Sequence, residues 1–406
     1  MGKQYNLSQV TAYLAVSFFA TLALILLFKI GREIFKLSLW LSLLPPIIFA
    51  FASTSWSYAV TLYQHHITTF LILLSFYSVW RYGLRSRFSW IWAGVVWLSY
   101  GYSLLVDYPN AILMLPVMVY FFLTALKIHK GKTEVRLDLR LSIVTTSILF
   151  VVAVGLHAFY NQVNFGSWKR VSGSLVGYKT IKEKNLLKQK NSEKLTTAEQ
   201  AKRSVVRFFA EEKLPTGFSI LLFSRDRGFF LYSPIFILAL LGIYKIRKKI
   251  DLKIGTLLGI IGVNLFLYSS WGDPWGGWAY GPRYLIPSMA ILSLFISFWF
   301  ANLKHKLLGK LVILPLFVYS AAIALLGALT TNQIPPKVEA DYLKMKYNFL
   351  LSLDYLISQR SGSFLYNEYF SRFYDLQQYY LMILLSVIFL FCVVLFVLPM
   401  FAKNES

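Results

Sequence analysis

Cysteine is nearly absent. Cys392 is the only one in 406 residues, which excludes a disulfide framework and a thiolate metal site. Acidic residues are scarce too: 18 Asp and Glu stand against 41 Lys and Arg, for a net charge of +23. There is no Walker-type phosphate loop, no His-Glu-x-x-His zinc motif and no Asp-x-Asp pair. No short cleavable leader precedes a small-residue cleavage site, because the first apolar run, Val10 to Phe28, is long enough to stay in a membrane. No repeat of fixed period and no low-complexity tract is present.

Hydrophobicity is what the chain has in plenty. Hydrophobic residues make up 57% of it and the mean hydropathy is +0.57. Apolar runs of about 20 residues recur, the length needed to cross a bilayer as helix. Backbone groups in lipid must be satisfied within the segment, and the runs do not alternate as barrel strands do. The reading is therefore all-α: a polytopic bundle of about eleven spans, at 9–28, 37–56, 67–80, 90–106, 110–126, 141–159, 229–244, 254–270, 285–301, 309–330 and 379–400. The whole of 1–406 forms one integral membrane domain.

In a soluble protein a charge of +23 would suggest nucleic acid. Here the excess sits between spans, where it sets orientation instead. Lys29, Arg32 and Lys36 follow the first span, Arg81, Arg85 and Arg87 the third, and Lys127, Lys130, Lys132, Arg136 and Arg140 the fifth. Lys245, Arg247, Lys248, Lys249 and Lys253 follow the seventh, and Lys304, Lys306 and Lys310 the ninth. The gaps around Gln64-His65-His66 and Asp107-Tyr108-Pro109 hold no Lys or Arg. Every second loop thus faces the cytoplasm, with the N-terminus outside and the C-terminus inside. Residues 160–228 should be external despite 14 Lys/Arg against 6 Asp/Glu, since long loops cross largely regardless of charge. Within them Thr196 and Glu199 have capping-box spacing before Val205, Val206, Phe208 and Phe209, a pattern that predicts an amphipathic helix on the outer surface. The second long external segment, 331–378, is rich in aromatics and reads as interfacial helix.

The candidate chemistry lies at the outer ends of the spans. Residues 271–287, WGDPWGGWAYGPRYLIP, carry three of the eleven Trp within eight residues, with Asp273 and Arg283 as the only charges. Arg283, just before a span, would sit at headgroup depth, where a guanidinium grips phosphate through two parallel hydrogen bonds. A plain aromatic belt with one snorkelling Arg is the bland alternative, but it needs neither Pro282 nor the glycines at 272, 276, 277 and 281. Trp278 and Tyr284 belong to the same expected lipid-phosphate and sugar contacts. Residues 223–234, FSRDRGFFLYSP, offer Arg225 and Arg227 as a second cationic wall or, equally, an Arg–Asp pair capping a helix. His65, His66 and Asp107 stand at other outer ends; Asp107 either caps its helix or binds a sugar or acceptor hydroxyl. The expected site is therefore Asp273 and Asp107 as carboxylates, with Arg283, Arg227, Arg225, Tyr284, Trp278, His65 and His66 as ligand contacts.

Together these segments resemble the GT-C class of membrane glycosyltransferases, in particular bacterial and archaeal relatives of the protein O-mannosyltransferase and aminoarabinose-transferase group. The resemblance rests on Phe223-Ser224…Arg227-Gly228…Tyr232-Ser233-Pro234, on Trp275-Gly276-Gly277-Trp278-Ala279-Tyr280-Gly281-Pro282-Arg283-Tyr284, on Tyr160-Asn161…Phe165-Gly166-Ser167, and on His65 or His66 at the outer end of an early span. It implies a polyprenyl-phosphate-linked sugar as donor and a lipid, glycan or protein hydroxyl as acceptor, in the membrane of the cell envelope. It leaves a divalent metal open. In that class the main catalytic carboxylate sits in the first external loop, after a first span. Here the expectation is that this span and loop are absent from the sequence, to be encoded upstream or supplied by a partner subunit. Two other readings stand beside the enzyme. One is a non-catalytic relative or membrane scaffold. The other is a lipid-linked glycan transporter, which would need ionisable groups inside the spans that are almost wholly lacking.

Overall fold

The computed structural model describes residues 2–130, 135–168 and 211–401. Helices dominate it, and the predicted helical membrane bundle is what is found. Seven described helices are long and apolar enough to cross a membrane: Leu14–Ile34, Ser89–Val106, Leu141–Phe165, Leu252–Ser269, Arg283–Ala301, Lys306–Leu329 and Leu376–Phe401.

The other four predicted spans are helical but shorter, broken or less apolar. The 37–56 run forms Leu39–Phe51, turns, and resumes as Ser55–Ala59. The 67–80 run is the core of His65–Gly83. The 110–126 run divides at Met114, two residues ahead of Pro116, and the 229–244 run divides at Ser233 and Pro234. Proline brings no N–H to the helical ladder, so the ladder restarts beside it. In a membrane such breaks persist only where the protein itself satisfies the freed groups.

The helix Ile286–Ala301 is the pole of the bundle. Its sequence is apolar or small on every side, and such a helix must be buried all round. All of its residues from Ile286 to Phe300 are buried, and it packs against Ile237–Ile246, Leu39–Phe51, Leu252–Ser269 and His65–Gly83. Gly242 approaches closely: a Cβ there would collide with the Phe295 carbonyl oxygen. At the periphery the helices Ile148–Phe165 and Leu376–Cys392 leave Leu156, Phe159, Leu385 and Phe389 more than 60% exposed. Apolar area on that scale needs lipid against it.

One element departs from an all-α chain. Leu126–Lys130 pairs antiparallel with Val135–Leu139, with Leu126 opposite Leu139. That stretch reads in sequence as a basic loop, although Val135-Arg136-Leu137-Asp138-Leu139 alternates with the period of a strand. The amphipathic helix expected from Thr196 and Glu199 lies outside the described residues. In 331–378 the short helices Lys337–Leu343, Phe349–Ile357 and Tyr366–Phe370 form, and Asp375 with Gln378 closes a capping box on the last long helix.

Candidate functional site

The first turn of His65–Gly83, the end of Ser89–Val106, the loop after Leu252–Ser269 and the start of Ile286–Ala301 meet at one end of the bundle. The opposite ends carry the basic residues Lys29, Arg81, Lys245 and Lys306.

The Trp- and Gly-rich loop is built as a rigid wall. Asp273 starts it: its Oδ2 accepts the Gly277 N–H at 2.7 Å, and its carbonyl accepts the Gly276 N–H at 3.2 Å. The turn this closes runs through positive φ at Gly276 (71°) and Gly277 (62°), which L side chains rarely adopt. At Gly276 a Cβ would also come within 3.0 Å of Arg283 Nε, so glycine leaves the room the guanidinium occupies. Further along, Tyr280 donates its N–H to the Tyr58 hydroxyl at 2.8 Å and its own hydroxyl to the Ile323 carbonyl at 2.6 Å. The Ala279 N–H reaches the Ile334 carbonyl at 2.9 Å.

Arg227 corrects an expectation. Its side chain is 0% exposed and gives its hydrogens to carbonyls: Nε to Trp275 at 2.8 Å, Nη1 to Asp226 at 2.9 Å, and Nη2 to Gly277 at 2.9 Å and Ile334 at 3.0 Å. A guanidinium so engaged has almost nothing left for a phosphate. It is a strut that ties the 275–277 turn to the segment around Ile334, and its burial is tolerable only because those carbonyls replace water. Arg225, by contrast, is exposed and joins no ion pair among the described residues. Arg227→Gln should lower thermal stability in detergent by about 3 kcal/mol, since it leaves several buried carbonyls unpaired. An unchanged melting temperature would contradict the strut.

Arg283 is the cation that remains. It is half-buried, with its guanidinium 4.8 Å from the Tyr63 ring centre and 5.4 Å from that of Tyr284. Its Nε–H is buried without an acceptor, and no carboxylate lies within ion-pair distance among the described residues. Tyr284 stacks face to face on Tyr268, with centroids 4.3 Å apart. His65 stacks on Tyr63 and meets Tyr284 edge-on at 6.0 Å, and its Nε2 also lacks a partner. His66 points elsewhere. Its Nε2–H donates to the Ser55 carbonyl at 2.8 Å and braces the break between the two halves of the second span.

Asp107 closes the site. Its Oδ2 accepts a hydrogen bond from Gln64 Nε2 at 3.1 Å. Burial pushes its carboxyl above the usual carboxylate range, against the opposing pull of Gln64, the Tyr108 backbone and the Arg283 charge. Tyr284 lies within electrostatic range of both Asp107 and Asp273. The two carboxylates differ in availability, because one oxygen of Asp273 is already committed to the loop it shapes. Trp278 stands 36% exposed at the rim, its indole N–H bonded to Glu339 of the helix Lys337–Leu343.

Asp107, Arg283, Tyr284, Asp273 and His65 are thus brought into one cluster; Arg227 and His66 are built into its walls, and Trp278 and Arg225 lie outward. Sequence reasoning missed Gln64, Tyr63, Tyr268 and Tyr58, which hold or frame the charged groups. All are neutral, and only the polar pairing of Gln64 with His65 at a span end hinted at them. His157, whose ring lies 6.5 Å from that of Tyr108, was likewise unmarked. Among the described residues no three His, Cys, Asp or Glu side chains gather as a metal-holding group.

No protein-family model and no curated protein matches the sequence. Among solved structures the chain is similar to the archaeal oligosaccharyltransferase AglB from Archaeoglobus fulgidus, solved in complex with an inhibitory peptide and a dolichol-phosphate, at 13% identity and a TM-score of 0.41. The match covers 91% of this chain and 49% of that one, so the chain spans about half of that enzyme's length.

Proposed function

We propose that this chain is a GT-C-like membrane glycosyltransferase. It moves a sugar from a polyprenyl-phosphate donor to a hydroxyl acceptor at the face of the membrane that carries Arg283. The observation that carries the reading is a half-buried guanidinium with an unpartnered Nε–H, sharing a cluster with a carboxylate that burial makes more basic. The resemblance of the loop 271–284 to the GT-C class supports it from the sequence side.

In the proposed reaction the acceptor oxygen attacks the anomeric carbon. The bond from that carbon to the phosphate oxygen breaks, and its electron pair stays on the phosphate. Asp107 takes the proton of the attacking hydroxyl, with Gln64 fixing the orientation of its carboxylate. Arg283 meets the charge that grows on the departing lipid phosphate, preorganised by Tyr63 and Tyr284. Asp273 acts through the loop, by holding the Gly276–Gly277 turn that leaves space for Arg283.

The test is sugar transfer by the purified full chain in lipid nanodiscs, supplied with radiolabelled polyprenyl-phosphate sugars and a panel of lipid, glycan and peptide acceptors. Labelled product that Asp107→Asn abolishes supports the reading. Binding of the donor without turnover by the wild-type chain would favour the non-catalytic relative instead.

A further inference from the structure

A cavity lies at the far end of the central helix, away from the cluster around Arg283. Ile286–Ala301 spans sixteen residues, so its two ends are about 24 Å apart. At the end away from Arg283 a cavity of about 340 Å³ opens between the close of Ile237–Ile246 and the turn that leads into Lys306–Leu329. Lys245, Lys304 and His305 line it together with Trp299, Leu308 and Val312. No acidic residue is among its lining.

The local packing explains why these groups converge. Gly242 lets its helix touch the backbone at Phe295, which carries Lys245, one turn further on, to the level of Trp299. Lys306 is spent on the helix end, donating to the Phe300 carbonyl at 2.6 Å and the Ala301 carbonyl at 2.8 Å. Arg247 folds back on Tyr244, donating to its carbonyl at 2.7 Å. Lys253 pairs with Asp251 at 3.2 Å. The side chains of Lys245, Lys304 and His305 have no such partner among the described residues. Two lysines and a histidine therefore face one concave space without a counter-charge, beside an apolar wall at the edge of a bundle whose outer surface is lipid-facing.

We propose that this cavity binds the anionic phosphate headgroup of a phospholipid from the leaflet at the basic end of the bundle. The headgroup lies against Lys245, Lys304 and His305, and the first part of an acyl chain runs along Trp299, Leu308 and Val312. Free phosphate would satisfy the cations but leave the apolar wall wet, which is why the lipid is the chosen occupant. The site is separate from the cluster around Arg283 and holds whatever the reaction there proves to be.

Retention of lipid by the full chain, read by native mass spectrometry from detergent, tests this. The wild-type chain is mixed with phosphatidylglycerol, phosphatidylcholine or inorganic phosphate. Retention of phosphatidylglycerol well above phosphatidylcholine is expected, with no adduct from phosphate. Lys245→Gln combined with Lys304→Gln should reduce phosphatidylglycerol retention about thirtyfold, from the attraction that two lysines at a membrane surface supply. Lys248→Gln with Lys249→Gln removes the same charge beside the cavity and should leave retention within about threefold of wild type, since neighbouring exposed charges are screened. Melting temperatures in phosphatidylcholine nanodiscs report whether each variant is folded. Equal losses in both pairs would reduce the cavity to a generally basic surface and overturn the proposal. So would an unchanged affinity in a folded Lys245/Lys304 variant, or phosphate binding as well as the lipid.

Discussion

Replacing Arg283 by alanine should lower the rate of sugar transfer by about 10²–10³, the usual cost of removing one preorganised donor from developing charge. The size follows from how little else at the site can take over. Arg227 is committed to four carbonyl contacts, and Arg225 is exposed and outward. The buried, unpartnered Nε–H of Arg283 needs an acceptor, and a departing phosphate oxygen provides one. Because that oxygen gains charge as its bond to the sugar breaks, the interaction strengthens toward the transition state. The loss should therefore fall on kcat more than on KM. Arg283→Lys should recover only part of it, since an ammonium keeps the charge but not the planar fork, nor the stacking between Tyr63 and Tyr284. Turnover of Arg283→Ala within a factor of about three of wild type, a change too small for one charge-assisted contact, would remove Arg283 from the chemistry.

Arg283 and Arg227 read alike in the sequence, and the structure sets them apart for a physical reason. Both are arginines beside glycines and aromatics at a span boundary. Composition marks such segments well, because three tryptophans and four glycines at a membrane edge are expensive without a purpose. Whether a guanidinium faces ligand or backbone depends on where carbonyls lie in space. Those of Trp275, Gly277 and Ile334 reach Arg227 from 48 to 107 residues away in the chain. The spans were legible for the same reason that their breaks were not. Apolar length is a sum over twenty residues and survives a prolyl interruption such as Pro116 or Pro234, whereas the helical ladder does not. The pairing of Gln64 with Asp107 joins two span ends 43 residues apart, and nothing in either segment announces the other.

Asp107→Asn separates chemistry from fold at this site. If Asp107 accepts the proton of the attacking hydroxyl, the amide should lower kcat by about 10²–10⁴, the range for loss of a positioned general base. The wild-type rate should also fall on the acid side at a pH above the ordinary carboxylate range, because burial raises the pKa of this group. Stability should move the other way. A carboxyl whose folded pKa is raised favours folding when protonated; that contribution is complete below the unfolded value of about 3.9 and is lost as pH rises through the folded one. At neutral pH the ionised side chain is thus a burden on the fold, which asparagine removes while keeping an oxygen for Gln64. The variant should melt at or slightly above the wild-type temperature at pH 7–8, and the difference should shrink and vanish as pH falls below the carboxylate range. A variant equally active with an unshifted acid limb would leave Asp107 as a helix cap alone. A variant that loses activity together with its folded state would show that the Gln64 contact needs the carboxylate to hold the fold.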